Sequence, residues 1–145
     1  MTVIGGYASL FGVRDLGGDV VMPGAFRASL ARRGAAGLAM LHQHVASSPI
    51  GVWDVAREDP TGLFVRGRIF SRPLAAAHAA ALVRAGALDG LSIGYVARAA
   101  SSDPAGNGRL LTDIDLFEVS LVSFPMLPGA RLTVVRPIPD VRRAA

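Results

Sequence analysis

Residues 90–100 read GLSIGYVARAA, and the residues after Ser92 in that stretch decide between two folds. Gly90-Leu91-Ser92-Ile93-Gly94 fits G-x-S-x-G, the pattern that presents a nucleophilic serine on a strand-to-helix turn in α/β-hydrolases, with the triad completed in the order Ser, acid, His. Here the serine is followed by IGYVARAA, which is strand-like, and all three histidines, His42, His44 and His78, precede it. A nucleophile at position 92 therefore needs a different architecture, with chain order His, Ser and then an acid.

Working outward, runs rich in Val, Ile, Leu, Phe and Tyr occur at 3–11, 38–44, 50–59, 62–70, 91–100, 110–124 and 130–137, separated by Gly, Pro, Asp and Ser. Two helical patterns interrupt them. The first, near 24–33, sets Phe26 and Leu30 four apart and stops at Gly34; the second, near 73–86, has Ser71 as N-cap and stops at Gly86. Six to seven short strands without regular strand–helix alternation predict a mostly β fold, a barrel or sandwich flanked by two or more helices. No internal repeat is visible. The domain is assigned to 1–135, and 136–145, RPIPDVRRAA, to a C-terminal tail without an apolar face to bury.

Composition narrows the chemistry. The 145 residues suit one domain, and 51% hydrophobic with 18% charged residues is the balance of a folded globular chain. No run approaches about 18 uncharged apolar residues and MTVIGGYASLFG is unlike a signal peptide, so neither membrane insertion nor export is expected. Without cysteine, disulfides, thiol catalysis and cysteine-ligated zinc are excluded. The net charge of +4 comes from scattered basic residues with nine aromatics among them, so nucleic acid is not expected as a direct ligand.

Candidate partners for Ser92 emerge from their positions. His44 lies where an apolar run meets the polar segment leading to Pro49 and Gly51; if the run is extended, His42 shares its face and is a rival base. The bland alternative for either is a surface histidine. His78, among alanines, reads as structural. On an extended strand Glu118 shares a face with Ile114, Leu116, Val122 and Phe124, a costly place for a carboxylate unless an imidazolium or a polar neighbour such as Ser120 satisfies it. A solvent-facing glutamate at a barrel rim is the alternative.

Four blocks in order, GYASLFGVRDLGGDVVMPGAF, LHQHVASSPIGVW, GALDGLSIGY and EVSLVSFPMLPGAR, resemble the HK97-like caudovirus prohead (capsid maturation) serine protease family over roughly residues 3–135. The resemblance implies a herpesvirus-assemblin-like β-barrel and a serine endopeptidase acting inside the immature capsid in the bacterial host cytoplasm. It implies scaffold and the major capsid protein as partners and substrates, with the chain itself a further candidate substrate, and no metal or organic cofactor. Residue by residue it makes Ser92 the nucleophile, His44 the base, by gapless register from HVASSPIG, and Glu118 the acid. Two departures stand out: Val45 replaces the usual Asp after the histidine, and His42 replaces an aromatic. A catalytically silent capsid-assembly protein on the same barrel remains the alternative.

In the implied mechanism His44 accepts the Ser92 proton, Glu118 holds the imidazole, and His44 returns the proton to the leaving amine. Only tertiary structure joins residues 48 positions apart (92 − 44). PMLPGAR, ending at Arg131, is the candidate oxyanion loop, and His42 and Ser120 are candidate site-lining residues. The family's helix-mediated pairing makes a homodimer a further expectation, with LAAAHAAALVRAG as the small-residue face; packing of that helix onto its own barrel is the alternative.

Overall fold

In the computed structural model residues 1–106 and 108–136 are described. Alternating apolar positions make one face of each extended run insoluble, so the strands pair and curl around those faces. Eight strands result among the described residues: β1 Thr2–Leu10, β2 Asp19–Val21, β3 Ala39–His42, β4 Pro49–Glu58, β5 Gly62–Ile69, β6 Gly90–Ser102, β7 Arg109–Val122 and β8 Leu132–Val134. Helix α1, Arg27–Arg33, follows β2, and α2, Leu74–Arg84, follows β5. The tail expected at 136–145 lies, apart from Arg136, outside the described residues.

The sheet runs β2-β7-β3-β4-β5-β1-β8, with β6 paired to β7. Strand β7 carries β2 and then β3 in parallel along one edge and the antiparallel β6 along the other. The curl returns on itself at a seam. Gly90 bridges to Arg131, Leu91 N donates to Ala130 O at 2.9 Å, and Leu132 N donates to Asp89 O at 2.9 Å, joining the start of β6 to the entry of β8. The predicted mostly β barrel is thus the observed architecture.

Ile4, Met40, Ile50, Leu63, Leu116 and Leu121 fill the interior, each essentially without exposure. Each such side chain contributes about 1.5–3 kcal/mol by leaving water. The Trp53 indole is buried with them because its N–H donates to Val119 O at 3.2 Å.

Both expected helices are present but shorter. Residues 22–26 form a turn, with Ala25 N bonded to Met22 O and Gly24 at φ 90°, so α1 begins only at Arg27. Ser71 does not cap α2; Pro73 occupies the N-cap position without a side-chain cap bond, its ring holding φ at −66°. Gly34 at φ 61° and Gly86 at φ 75° end the two helices as anticipated. Ala76, Ala79, Ala80 and Val83 are buried, their helix packing on β4 and β5, so the alanine face is already covered by its own barrel. Strand β2 escapes sequence reading because three residues in a polar loop carry no periodicity.

Candidate active site

Alternation along β7 puts Leu116, Glu118, Ser120 and Val122 on one face, and all four are buried, the strand being covered on both faces from Glu118 to Val122. Phe124, expected on the same row, lies past the end of the strand and is 93% exposed. The alternation that predicts its burial stops with β7 at Val122. Glu118 is only 9% exposed, so its carboxylate depends on neighbours. Ser120 Oγ donates to Glu118 Oε2 at 2.7 Å, and Glu118 Oε1 pairs with His44 Nδ1. Both oxygens are engaged.

Strand β6 brings the serine alongside. Its register sets Ser92 opposite Ser120 and Gly94 opposite Glu118. The glycine leaves Glu118 room to stay where it stands: a Cβ at position 94 would lie 2.3 Å from Glu118 Oε1 and 2.7 Å from its Cγ and Cδ. The last glycine of G-x-S-x-G therefore makes room for the acid, two residues beyond the serine. Sequence reading had the glycine in view but no reason to connect it with Glu118.

His44 reaches the pair by a turn, which corrects the expectation that it shares an extended face with His42. Strand β3 ends at His42, and Gln43 and His44 both take positive φ, 55° and 61°. That conformation is uncommon outside glycine and breaks the alternation of side chains. Several bonds hold it: Gln43 N donates to Leu121 O at 2.9 Å, His44 N to Ser120 Oγ at 3.1 Å, and Val45 N to His42 O at 3.1 Å. The Gln43 amide clamps Ser123, donating from Nε2 to Oγ at 2.8 Å and accepting from its backbone N–H at 3.2 Å. Gln43 is a supporting residue that sequence reading missed. Val45, where an aspartate was expected, is exposed in this turn.

Ser92, 7% exposed, and His44 line one cleft of about 220 Å³, shared with Ser9, Asp15, Asp19 and Tyr95. The Ser92 hydroxyl has no hydrogen-bond partner among the described residues, so it is available to whatever enters. With Nδ1 committed to Glu118, Nε2 is the nitrogen of His44 left to act as base. His42 is half-buried on β3 and His78 exposed on α2; neither lines the cleft. The Arg131 guanidinium points its hydrogen bonds to Asp89 Oδ1 at 2.7 Å and Pro128 O at 2.9 Å, while its backbone forms the barrel seam.

Farther along the cleft, Asp19 accepts two bonds from Arg109 at 3.0 Å and one from the Tyr95 hydroxyl at 3.3 Å. The Arg109 hydrogen bond holds the Asp19 carboxyl below the usual carboxylate range. Burial, followed by the Asp19 and Asp15 charges, pushes the Tyr95 phenol up to about 12, so it stays a neutral donor. No group of three or more His, Asp or Glu side chains among the described residues is arranged to hold a metal ion.

This barrel is one of a class found in viral proteases. It superposes on the Kaposi's sarcoma-associated herpesvirus protease solved with a hexapeptide phosphonate inhibitor, with TM-score 0.60 and 16% identity, covering 94% of this chain and 65% of that one. It also matches the varicella-zoster virus protease, with TM-score 0.58 and 16% identity over 94% of this chain and 64% of that one. At that identity the likeness is one of fold. The chain belongs to the caudovirus prohead serine protease family, whose sequence model it matches over residues 1–141. It is 32% identical over 138 residues to the prohead protease of Enterobacteria phage HK97, covering 94% of this chain and 61% of that protein. The chain thus spans about three-fifths of the length of that relative.

Proposed function

We propose that this chain is the serine endopeptidase of phage-type capsid maturation, cutting scaffold or the major capsid protein, and itself, inside the prohead. The observation that carries the reading is the pairing of His44 Nδ1 with Glu118 beside Ser92 in a single cleft, in a chain of this family. Ser92 Oγ attacks the scissile carbonyl while His44 Nε2 takes its proton; Glu118 keeps Nδ1 protonated and stabilises the imidazolium. His44 then hands the proton to the departing amine, leaving an acyl ester on Ser92. Water attacks that ester with the same imidazole as base, and Ser92 is regenerated. Ser120 supports both partners at once, donating to the carboxylate and accepting from the His44 backbone. If the protein also forms a homodimer, it must pair through a surface other than the alanine face of α2, which its own barrel covers.

The test is co-expression with the scaffold and major capsid protein of its own particle, with products read by intact mass. A defined truncation of either polypeptide that disappears with Ser92→Ala is expected. Scaffold and capsid protein both uncut in the presence of folded wild-type chain, or cutting that persists in Ser92→Ala, would overturn the reading.

A further inference from the structure

The cleft contains polar groups for which the proposed reaction has no use. Ser9, on β1, is only 2% exposed, lines the cleft, and its hydroxyl has no hydrogen-bond partner among the described residues. No fully buried side-chain oxygen among the described residues lacks a partner, so this one keeps some access to solvent, and a group that displaces water there must satisfy it or leave it unpaired at a cost. Asp15 lines the same space. Its Oδ1 accepts the Gly17 and Asp19 amides at 2.9 Å each, and among the described residues it has no ion-pair partner. Asp19 differs, since Arg109 neutralises it through both oxygens. Asp15 is therefore the carboxylate at this end of the cleft without a direct cationic partner, Arg109 reaching it only through the longer-range attraction of its charge.

The intervening walls are apolar, formed by Ala8, Val21, Leu91, Ile93 and Leu127. Apolar walls with an unpaired hydroxyl and one carboxylate lacking a direct ion pair are complementary to a long aliphatic stem ending in a cation. We propose that this part of the cleft is a specificity subsite for a lysine or arginine side chain of the polypeptide being cut. The stem lies against Val21 and Ile93, the cationic head on Asp15, and the Ser9 hydroxyl accepts one of its N–H donors. Tyr95, tied to Asp19, forms a fixed wall. The subsite rests on the peptidase reading above, and it names Asp15 and Ser9 as residues that choose the substrate.

Covalent labelling separates the two claims. A plain fluorophosphonate reports whether Ser92 is activated. A set of peptidyl diphenyl phosphonates, with lysine or its uncharged counterpart norleucine at each of four positions on the acyl side in turn, reports the subsite. At one position lysine is expected to label about tenfold faster than norleucine, with the ratio falling as salt screens the pair. Asp15→Asn keeps an oxygen for both backbone amides but removes the charge, and should bring that ratio close to one. Fluorophosphonate labelling without a lysine preference at any position overturns the subsite alone, as does an unchanged ratio in folded Asp15→Asn. No labelling of folded protein by any probe overturns the peptidase reading and the subsite with it. Should Asp15→Asn fail to fold, the wild-type ratio and its salt dependence still decide.

Discussion

Replacing Gly94 by alanine probes how tightly the strand that carries the serine is fitted to the acid. The new methyl carbon would stand 2.3 Å from Glu118 Oε1, where ordinary contact needs about 3.4 Å, so the carboxylate must withdraw by about 1 Å. A shift of that size takes the 2.7 Å bond from Ser120 beyond hydrogen-bonding range and pulls Oε1 from His44 Nδ1. Crowding of this kind costs about 1–3 kcal/mol, a drop of roughly 3–10 °C in melting temperature, which leaves the barrel folded. Losing the orientation of the base costs far more in rate, about 10²–10⁴-fold. The assay is the rate of capsid-protein cleavage, with circular dichroism and a thermal melt as controls. In a Glu118→Ala background the clash has no object, so adding Gly94→Ala should change the remaining rate by less than about threefold. Full activity in folded Gly94→Ala, or equal losses in both backgrounds, would refute the idea that the glycine serves the acid.

Further outcomes are expected at neighbouring positions. His44→Ala should abolish cleavage about as fully as Ser92→Ala, while His42→Phe retains it; a folded His44→Ala that still cuts while His42→Phe does not would reverse the base assignment. Ser120→Ala removes a donor to Glu118 and an acceptor for His44 N, and should destabilise by about 1–3 kcal/mol in urea unfolding as well as slow cleavage; an unchanged midpoint would argue against its bridging role. Because Arg109 lowers the Asp19 pKa, that pair contributes stability above the ordinary carboxylate range and loses it as pH falls through the lowered value. Asp19→Asn should flatten that part of the acid limb of a melting-temperature profile, and an unaltered limb would count against the pair.

Much of the fold was legible because long strands announce themselves by alternation: β1, β4, β5, β6 and β7 all lie within the runs read from sequence, give or take a residue or two. The refusal of residues 95–100 to form a helix was enough to exclude the hydrolase turn. What stayed hidden depends on close approach or backbone sign. Alternation assumes extended backbone, so it paired His42 with His44, whereas two successive positive φ angles in this turn separate them. The contact between Gly94 and Glu118 arises from strand register, which a one-residue slip would abolish and which no local pattern specifies. Ser9 falls in the first strand-like run and Asp15 carries no signal of its own, and only the curl of the sheet brings them to the same space as Ser92.

The seam between β6 and the entry to β8 bears on when the protein can acquire its site during synthesis. Leu91, immediately before Ser92, has its amide bound by Ala130 O, and Leu132 in turn binds Asp89 O. A ribosome making the chain from the N-terminus releases the histidine, the serine and the acid well before residues 130–132. Until those residues emerge, the strand bearing Ser92 lacks the partner that fixes its leading end, however well β6 and β7 have paired. Closure of the seam is therefore a late event in synthesis: a nascent or prematurely terminated chain holds His44, Ser92 and Glu118 but not the hydrogen bonds that fix the leading end of the strand bearing Ser92.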